Sequence, residues 1–244
     1  MRAVYLDLDD TLLGRGGSLL HDGEGAFSLL GARALEACAR AGAEVVPVSG
    51  RRRWMLHEDA RILGARAYAC ECGAGLVLDG ELQWLTGAMQ PGEEGSVHDQ
   101  IARSGALELL LDGFPGLRVD PENGGREVTH LLRGEADAAA ADALLARHGH
   151  DHLRLLDNGA SFHLLPRAVS KAAAVARHMR ARGLGPRDVI AVGDSREDLG
   201  LAEVVGTFWL VANGVDGSGP NVRRAEAANG AGVYEAVLTT LAER

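Results

Sequence analysis

Short apolar segments of strand length in this chain run directly into acidic, hydroxyl or amide residues, and this recurrence most constrains the fold. Ala3 to Leu8 reads as a short buried strand ending in the cluster Asp7, Asp9 and Asp10. Glu44-Val45-Val46-Pro47-Val48 is a second strand and runs into Ser49-Gly50-Arg51. Asp188-Val189-Ile190-Ala191-Val192 ends at Gly193-Asp194, and Thr207-Phe208-Trp209-Leu210-Val211 ends at Ala212-Asn213-Gly214. A helical pattern over Ala26–Ala41, stopped by Gly42, joins the first two strands, and a helix over Lys171–Arg182 precedes the third. Strand, helix, strand over some fifty residues is a βαβ unit, so these strands should lie parallel in a doubly wound, Rossmann-like α/β core.

The middle of the chain breaks this alternation. Turn residues multiply there, at Pro91-Gly92, Asp112-Gly113, Pro115-Gly116 and Asn123-Gly124-Gly125. Candidate strands over Arg126–Leu132 and Ser161–Leu165 flank an Ala-rich helix over Glu135–Arg147. The expected organisation is a core from residues 1–78 and 166–244, interrupted by an inserted α+β domain over 79–165. A length of 244 residues accommodates one core with a smaller second domain.

Charge and cysteine content limit the setting. The net charge of −9 argues against broad binding to nucleic acid or an anionic membrane. Cys38, Cys70 and Cys72 are too few for a disulfide framework, and an odd number fits a reducing, cytoplasmic compartment. Cys70-Glu71-Cys72 lacks a second Cys/His pair nearby, which argues against zinc. Asp7 comes too early for a signal peptide, and no apolar run approaches the ~20 residues of a membrane helix.

Ligands of doubly wound sheets bind beyond the carboxyl ends of the strands, so the polar residues at those ends should converge. They are Asp7 with Asp9, then Ser49, then Lys171 at a helix start, then Asp194 with Asp198. Taken singly, each has an ordinary reading as a strand exit, a helix cap or a solvated lysine. Together, they put several carboxylates, a hydroxyl and an ammonium in one place, an arrangement that raises pKa values or recruits a cation. Oxygen-only ligands suit Mg²⁺, and the set suits phosphoryl transfer.

The motifs resemble those of the haloacid dehalogenase superfamily. Asp7-Leu8-Asp9-Asp10-Thr11 is similar to its first motif, and Val48-Ser49-Gly50-Arg51 to the second, in the form typical of the Cof-type branch with a large C2-type cap. Ser170-Lys171-Ala172 is similar to the third, and Gly193-Asp194-Ser195-Arg196-Glu197-Asp198 to the fourth. Glu71-Cys72-Gly73-Ala74, Val211-Ala212-Asn213-Gly214 and Gly232-Val233-Tyr234 echo the same branch. The resemblance implies that Asp7 is the nucleophile and a Mg²⁺ ligand. It makes Asp9 the general acid/base, with its carbonyl on the metal. Ser49, Gly50, Arg51 and Asn213 would bind the phosphoryl group or substrate, Lys171 would bridge phosphoryl oxygens and Asp7, and Asp194 would ligate the metal. Asp198 would orient Lys171 or a metal-bound water. The implied activity is a Mg²⁺-dependent phosphatase acting on a small phosphorylated metabolite through an aspartyl phosphate, as a monomer or homodimer.

Two positions depart from the pattern. Glu197 stands where the family commonly has Asn, and Cys72 replaces the Asn of a Glu-Asn-Gly-Ala turn. In the inserted domain, strand alternation puts Arg126, Val128, His130 and Leu132 on one face, and Ser161, His163 and Leu165 on a face of the last strand. Arg126, His130 and His163 are candidates for reading the leaving group; the alternative is ordinary polar positions on a half-exposed sheet. Ser161-Phe162-His163-Leu164-Leu165 resembles a segment of mannosyl-3-phosphoglycerate phosphatases, and sucrose-phosphate phosphatases share the cap class, which favours a sugar or glyceryl phosphate. A phosphomutase is the main rival. A receiver-type signalling domain is disfavoured by the long insertion and by the acceptor position on the first strand.

Overall fold

The computed structural model describes residues 1–243 and divides them into two compact units. One comprises Met1–Gln83 and the chain from Lys171 onward; the other is Trp84–Ser170. The first unit opens with β1 (Ala3–Leu6), α1 (Leu30–Arg40), β2 (Glu44–Pro47) and α2 (Arg53–Leu63). Three short strands follow, β3 (Ala67–Cys70), β4 (Gly75–Leu78) and β5 (Glu81–Trp84), forming a separate sheet in that order. The second unit contains α3 (Val97–Arg103), α4 (Ala106–Gly113), β6 (Arg118–Val119), β7 (His130–Arg133), α5 (Ala138–Arg147), β8 (Leu153–Asp157) and β9 (Phe162–Pro166). The chain then returns to the first unit through α6 (Lys171–Arg182), β10 (Val189–Gly193), α7 (Arg196–Leu199), β11 (Thr207–Leu210), β12 (Val222–Arg224) and α8 (Asn229–Ala242).

The main sheet has the order β12-β11-β10-β1-β2, and every neighbouring pair is parallel. The α/β core expected from the strand–helix alternation is therefore present. β1 lies between β10 and β2, and all four of its residues are fully buried, as a strand covered on both faces requires. Its one polar group, the Tyr5 hydroxyl, meets Nδ1 of the buried His178 on α6 at 2.9 Å. Leu6 is level with Pro47 on one side and Val192 on the other. The residues just past these positions, Asp7, Ser49 and Asp194, thus leave the sheet at one edge.

α1 begins four residues later than its apolar pattern suggests. The cause is local: Asp22 Oδ1 accepts the N–H groups of Glu24 and Ala26, and His21 bridges Phe27 in antiparallel fashion. This closes a small hairpin where the first turn of helix was expected. α2 ends on Gly64 at φ 71°, a left-handed cap that glycine adopts without strain. α1 and α8 pack closely at Gly31 and Gly230, where a Cβ added to Gly230 would lie 2.8 Å from the Gly31 Cα.

The second unit has an antiparallel sheet ordered β6-β7-β9-β8, with α5 packed on β8. The expected strand from Arg126 is shorter than its alternation implies and starts at His130. Residues 127 and 128 are bent, and the Glu127 carbonyl accepts the His98 N–H rather than a ladder partner. Strand alternation therefore does not place Arg126 and Val128. The register pairs His130 with Leu164 and Leu131 with His163, so His130 and His163 point to opposite faces. α3 is held by a Ser96–Asp99 capping box.

Candidate active site

Three segments of the first unit bring charged groups to the carboxyl edge of the main sheet. Asp7 leaves β1, Lys171 opens α6, Asp194 follows β10, and Asp198 lies in the first turn of α7. Lys171 Nζ donates to Asp7 Oδ1 at 2.7 Å and to Asp198 Oδ1 at 2.8 Å, with Glu197 Oε2 3.9 Å away. Only 4 % of the Lys171 side chain is exposed. Burial works against its charged form, but Asp198, Asp7 and Glu197 outweigh it and hold the ammonium well above its ordinary pKa. Glu197 is thus part of the buried charge cluster.

Asp198 is fully buried and doubly committed. Its Oδ1 accepts from Lys171; its Oδ2 accepts from the Ser195 hydroxyl at 2.7 Å and the Ser195 N–H at 3.2 Å. Those bonds also cap α7, which fixes the carboxylate to the helix that carries it. Thr11 Oγ1 donates to Asp194 Oδ1 at 3.0 Å, tying the first acidic loop to the last. Burial, followed by the negative charges of Asp198 and others, pushes the Asp194 carboxyl up to about 6. Burial likewise raises Asp7 well above the usual carboxylate range, with Lys171 opposing and Asp198 and Asp194 reinforcing the rise.

One carboxylate oxygen from each of Asp7, Asp194 and Asp198 lies within 4.8 Å of the others. The donor set is all oxygen, crowded and negative, and therefore fits a hard divalent cation. Asp198 is already engaged on both oxygens, whereas Asp7 and Asp194 each have a second oxygen with no partner among the described residues. Asp7 and Asp194 are thus the side chains freest to hold an ion directly, while Asp198, the third member of the cluster, is bonded to Lys171.

The remaining expected residues are placed as follows. Ser49 is 2 % exposed, and its hydroxyl accepts the Arg51 N–H at 3.2 Å across Gly50. Asp9 is exposed and paired with the Arg51 side chain. Asn213 uses both ends of its amide inside the protein: Nδ2 donates to the Asp10 carbonyl at 2.7 Å, and Oδ1 accepts the Asn229 N–H at 2.9 Å. It secures the loop in which Asp10 adopts φ 58°. In the second unit, Arg126 Nη1 donates to Thr129 Oγ1 at 3.0 Å, and His130 stacks on His98 with ring centres 3.6 Å apart. Thr11, Asp59, Gly193 and Ser195 were not singled out from sequence, although Thr11, Gly193 and Ser195 lie inside motifs.

No family model matches the chain. A phosphoglycolate phosphatase of Methanothermobacter thermautotrophicus is 27% identical over 243 residues, 97% of each chain. A phosphoglycolate phosphatase of Halorubrum lacusprofundi is 32% identical over 125 residues, which span 50% of this chain and 55% of that protein. Among solved structures, the sucrose-phosphatase of Synechocystis, in complex with sucrose and phosphate, superposes with a TM-score of 0.71 at 17% identity, covering 98% of each chain. A haloacid dehalogenase-like hydrolase of Bacteroides thetaiotaomicron does so at 0.71 and 15% identity, again covering 98% of each. The resemblance drawn from the four motifs is borne out at the level of architecture: the chain has the haloacid dehalogenase-like fold, a Rossmann-like core with an inserted α+β unit.

Proposed function

We propose that this chain, built on the haloacid dehalogenase-like fold, is a Mg²⁺-dependent phosphomonoester hydrolase working through Asp7. The supporting observation is the buried bridge in which Lys171 joins Asp7 to Asp198, with Asp194 in the same cluster. Lys171 orients the Asp7 carboxylate by holding Oδ1, and one oxygen of that carboxylate is the attacking atom. That oxygen forms a bond to phosphorus as the bond to the leaving oxygen breaks, and Asp9 supplies the leaving oxygen with a proton. In the second half, Asp9 takes a proton from water as the water oxygen replaces Asp7 on phosphorus. Ser49 donates its hydroxyl to a phosphoryl oxygen, and Lys171 neutralises another. A divalent cation held by Asp7 and Asp194 supplies further positive charge against the phosphoryl oxygens.

The names of the relatives favour a small ester as substrate: a phosphorylated hydroxy acid such as phosphoglycolate, or a sugar or glyceryl phosphate. Leaving-group choice is assigned to the second unit, with Arg126, His130 and His163 as the residues to test. His130 and His163 occupy opposite sheet faces, so single substitutions separate their effects. Among the described residues, no helix is long and apolar enough to cross a membrane. The three free, buried cysteines accord with a cytoplasmic setting.

The test is phosphate release from phosphoglycolate, glyceryl phosphates and hexose phosphates, with Mg²⁺ or with chelator. Mg²⁺-dependent release that disappears in Asp7→Asn supports the reading. Isomerisation of a hexose phosphate without release, or full activity in Asp7→Asn, overturns it.

A further inference from the structure

Arg51 connects three segments of the first unit through one planar group. Its Nε donates to Asp9 Oδ2 at 2.9 Å and its Nη2 to Asp9 Oδ1 at 2.5 Å, a two-bond fork on the carboxylate. Its Nη1 donates to Asp59 Oδ2 at 2.7 Å. A guanidinium is rigid and flat, so fixing one corner on Asp59 fixes the direction of the edge that grips Asp9. Asp59 can serve as that anchor because it rides on α2 beside the buried Ala60. Gly17 closes another side: a Cβ there would lie 3.1 Å from Nη2.

The exposures differ in a way an ordinary surface ion pair does not. The Arg51 side chain is 16% exposed and that of Asp9 55%. An enclosed cation, itself anchored, holds an open carboxylate, whereas two mobile surface chains would gain little from pairing. The fork takes one lone pair of each Asp9 oxygen, so Asp9 points where Arg51 directs it and keeps the outward lone pairs for the proton it passes.

We propose that Asp59, acting through Arg51, is a positioning residue that sets the direction of the Asp9 carboxylate for the protonation of the leaving oxygen. The proposal rests on the phosphatase reading above and adds a residue outside every recognised motif. Its consequence depends on the leaving group. An alkoxide must receive a proton as it departs, while a nitrophenolate departs without one.

The experiment compares kcat/KM, which covers steps through the first P–O cleavage, for an alkyl phosphate and for 4-nitrophenyl phosphate with Mg²⁺ present. Asp59→Asn is expected to lower kcat/KM about tenfold or more for the alkyl ester and less than about threefold for the aryl ester. Arg51→Lys should show the same split, because an ammonium cannot form the fork. Asp59→Glu should restore part of the loss, and both conservative variants serve if Asp59→Asn melts early. Equal losses on the two esters, or no loss on the alkyl ester, overturn the assignment of Asp59. Hydrolysis of neither ester by the unmodified protein instead overturns the phosphatase reading itself.

Discussion

Lys171 Nζ lies 2.7 Å from Asp7 Oδ1 although 164 positions separate the two residues in the chain. Among the described residues, the ammonium is the only cation among the charges that close on this point, facing Asp7, Asp198 and, farther away, Glu197. Removing it leaves buried carboxylates without compensation. Lys171→Met should therefore cost about 3–5 kcal/mol in metal-free protein, measured by urea denaturation. The double variant Lys171→Met with Asp7→Asn should recover part of that loss.

Gly193 offers a route to the same cluster without touching a charge. A Cβ at this position would stand 2.4 Å from the Asp198 Cβ and 2.6 Å from its Cγ. Asp198 cannot yield freely, since Ser195 and Lys171 hold both of its oxygens. Gly193→Ala should cost about 1–3 kcal/mol through overpacking and lower kcat with it. Full kcat in a well-folded Gly193→Ala protein would show that Asp198 has slack.

Cation binding should be readable from stability alone. Asp7 and Asp194 repel each other in the metal-free state, and an ion held by both would relieve that repulsion. The thermal midpoint should rise with Mg²⁺ in a concentration-dependent way. Asp194→Asn should raise the metal-free midpoint while removing most of the Mg²⁺ response. Calorimetric titration with Mg²⁺ checks the same point without turnover.

His130 predicts an acid limb in stability. Burial first, then the neighbouring His98, lowers its pKa from 6.5 to about 4 in the folded chain. Between those values the unfolded chain binds a proton that the folded chain does not. Stability is therefore intact above pH 6.5 and declines as pH falls toward 4, by about 3 kcal/mol from this group. Other groups titrate in the same range, so the measurement is the difference from His130→Gln. The acid slope should be shallower in that variant; parallel slopes would remove His130 as the cause.

Cys72 supplies a prediction of opposite sign. It sits at φ 61° in the turn after β3, a left-handed conformation that Asn tolerates better than Cys. Cys72→Asn should raise the thermal midpoint slightly, by a few tenths to about 1 kcal/mol in stability, if the amide fits the buried site. A fall would mean that packing around the thiol outweighs the backbone gain.

The core and its charged edge were legible because parallel strands impose a simple rule: apolar residues inside, polar residues just past the end. Asp7, Ser49 and Asp194 follow that rule, while Lys171 and Asp198 come from helices α6 and α7 and were legible through their motifs. Arg51 was visible only as part of a motif, because its partner Asp59 lies two turns into α2, where an acidic residue looks like ordinary surface. Asn213 looked available for a ligand, since sequence does not reveal that an amide is used at both ends. The second unit was harder to read. Arg126 sits in an apparently alternating run, but a tertiary hydrogen bond from the His98 N–H bends the backbone before β7 starts. β8 has no strong alternation of its own and is defined by its pairing with β9.

The strand order has a consequence for how the protein is made. β1 is complete by residue 6, yet one of its two neighbours, β10, begins at residue 189. At 5–20 residues per second, a ribosome delivers that neighbour roughly 10–40 s after β1. During that interval the apolar edge of β1 has no strand to pair with, while Asp7 waits for the lysine that will neutralise it. The second unit, wholly encoded between those two strands, is synthesised before β10. Capture of the nascent chain by holdase chaperones should therefore peak before residue 189 emerges and fall once β10 has docked.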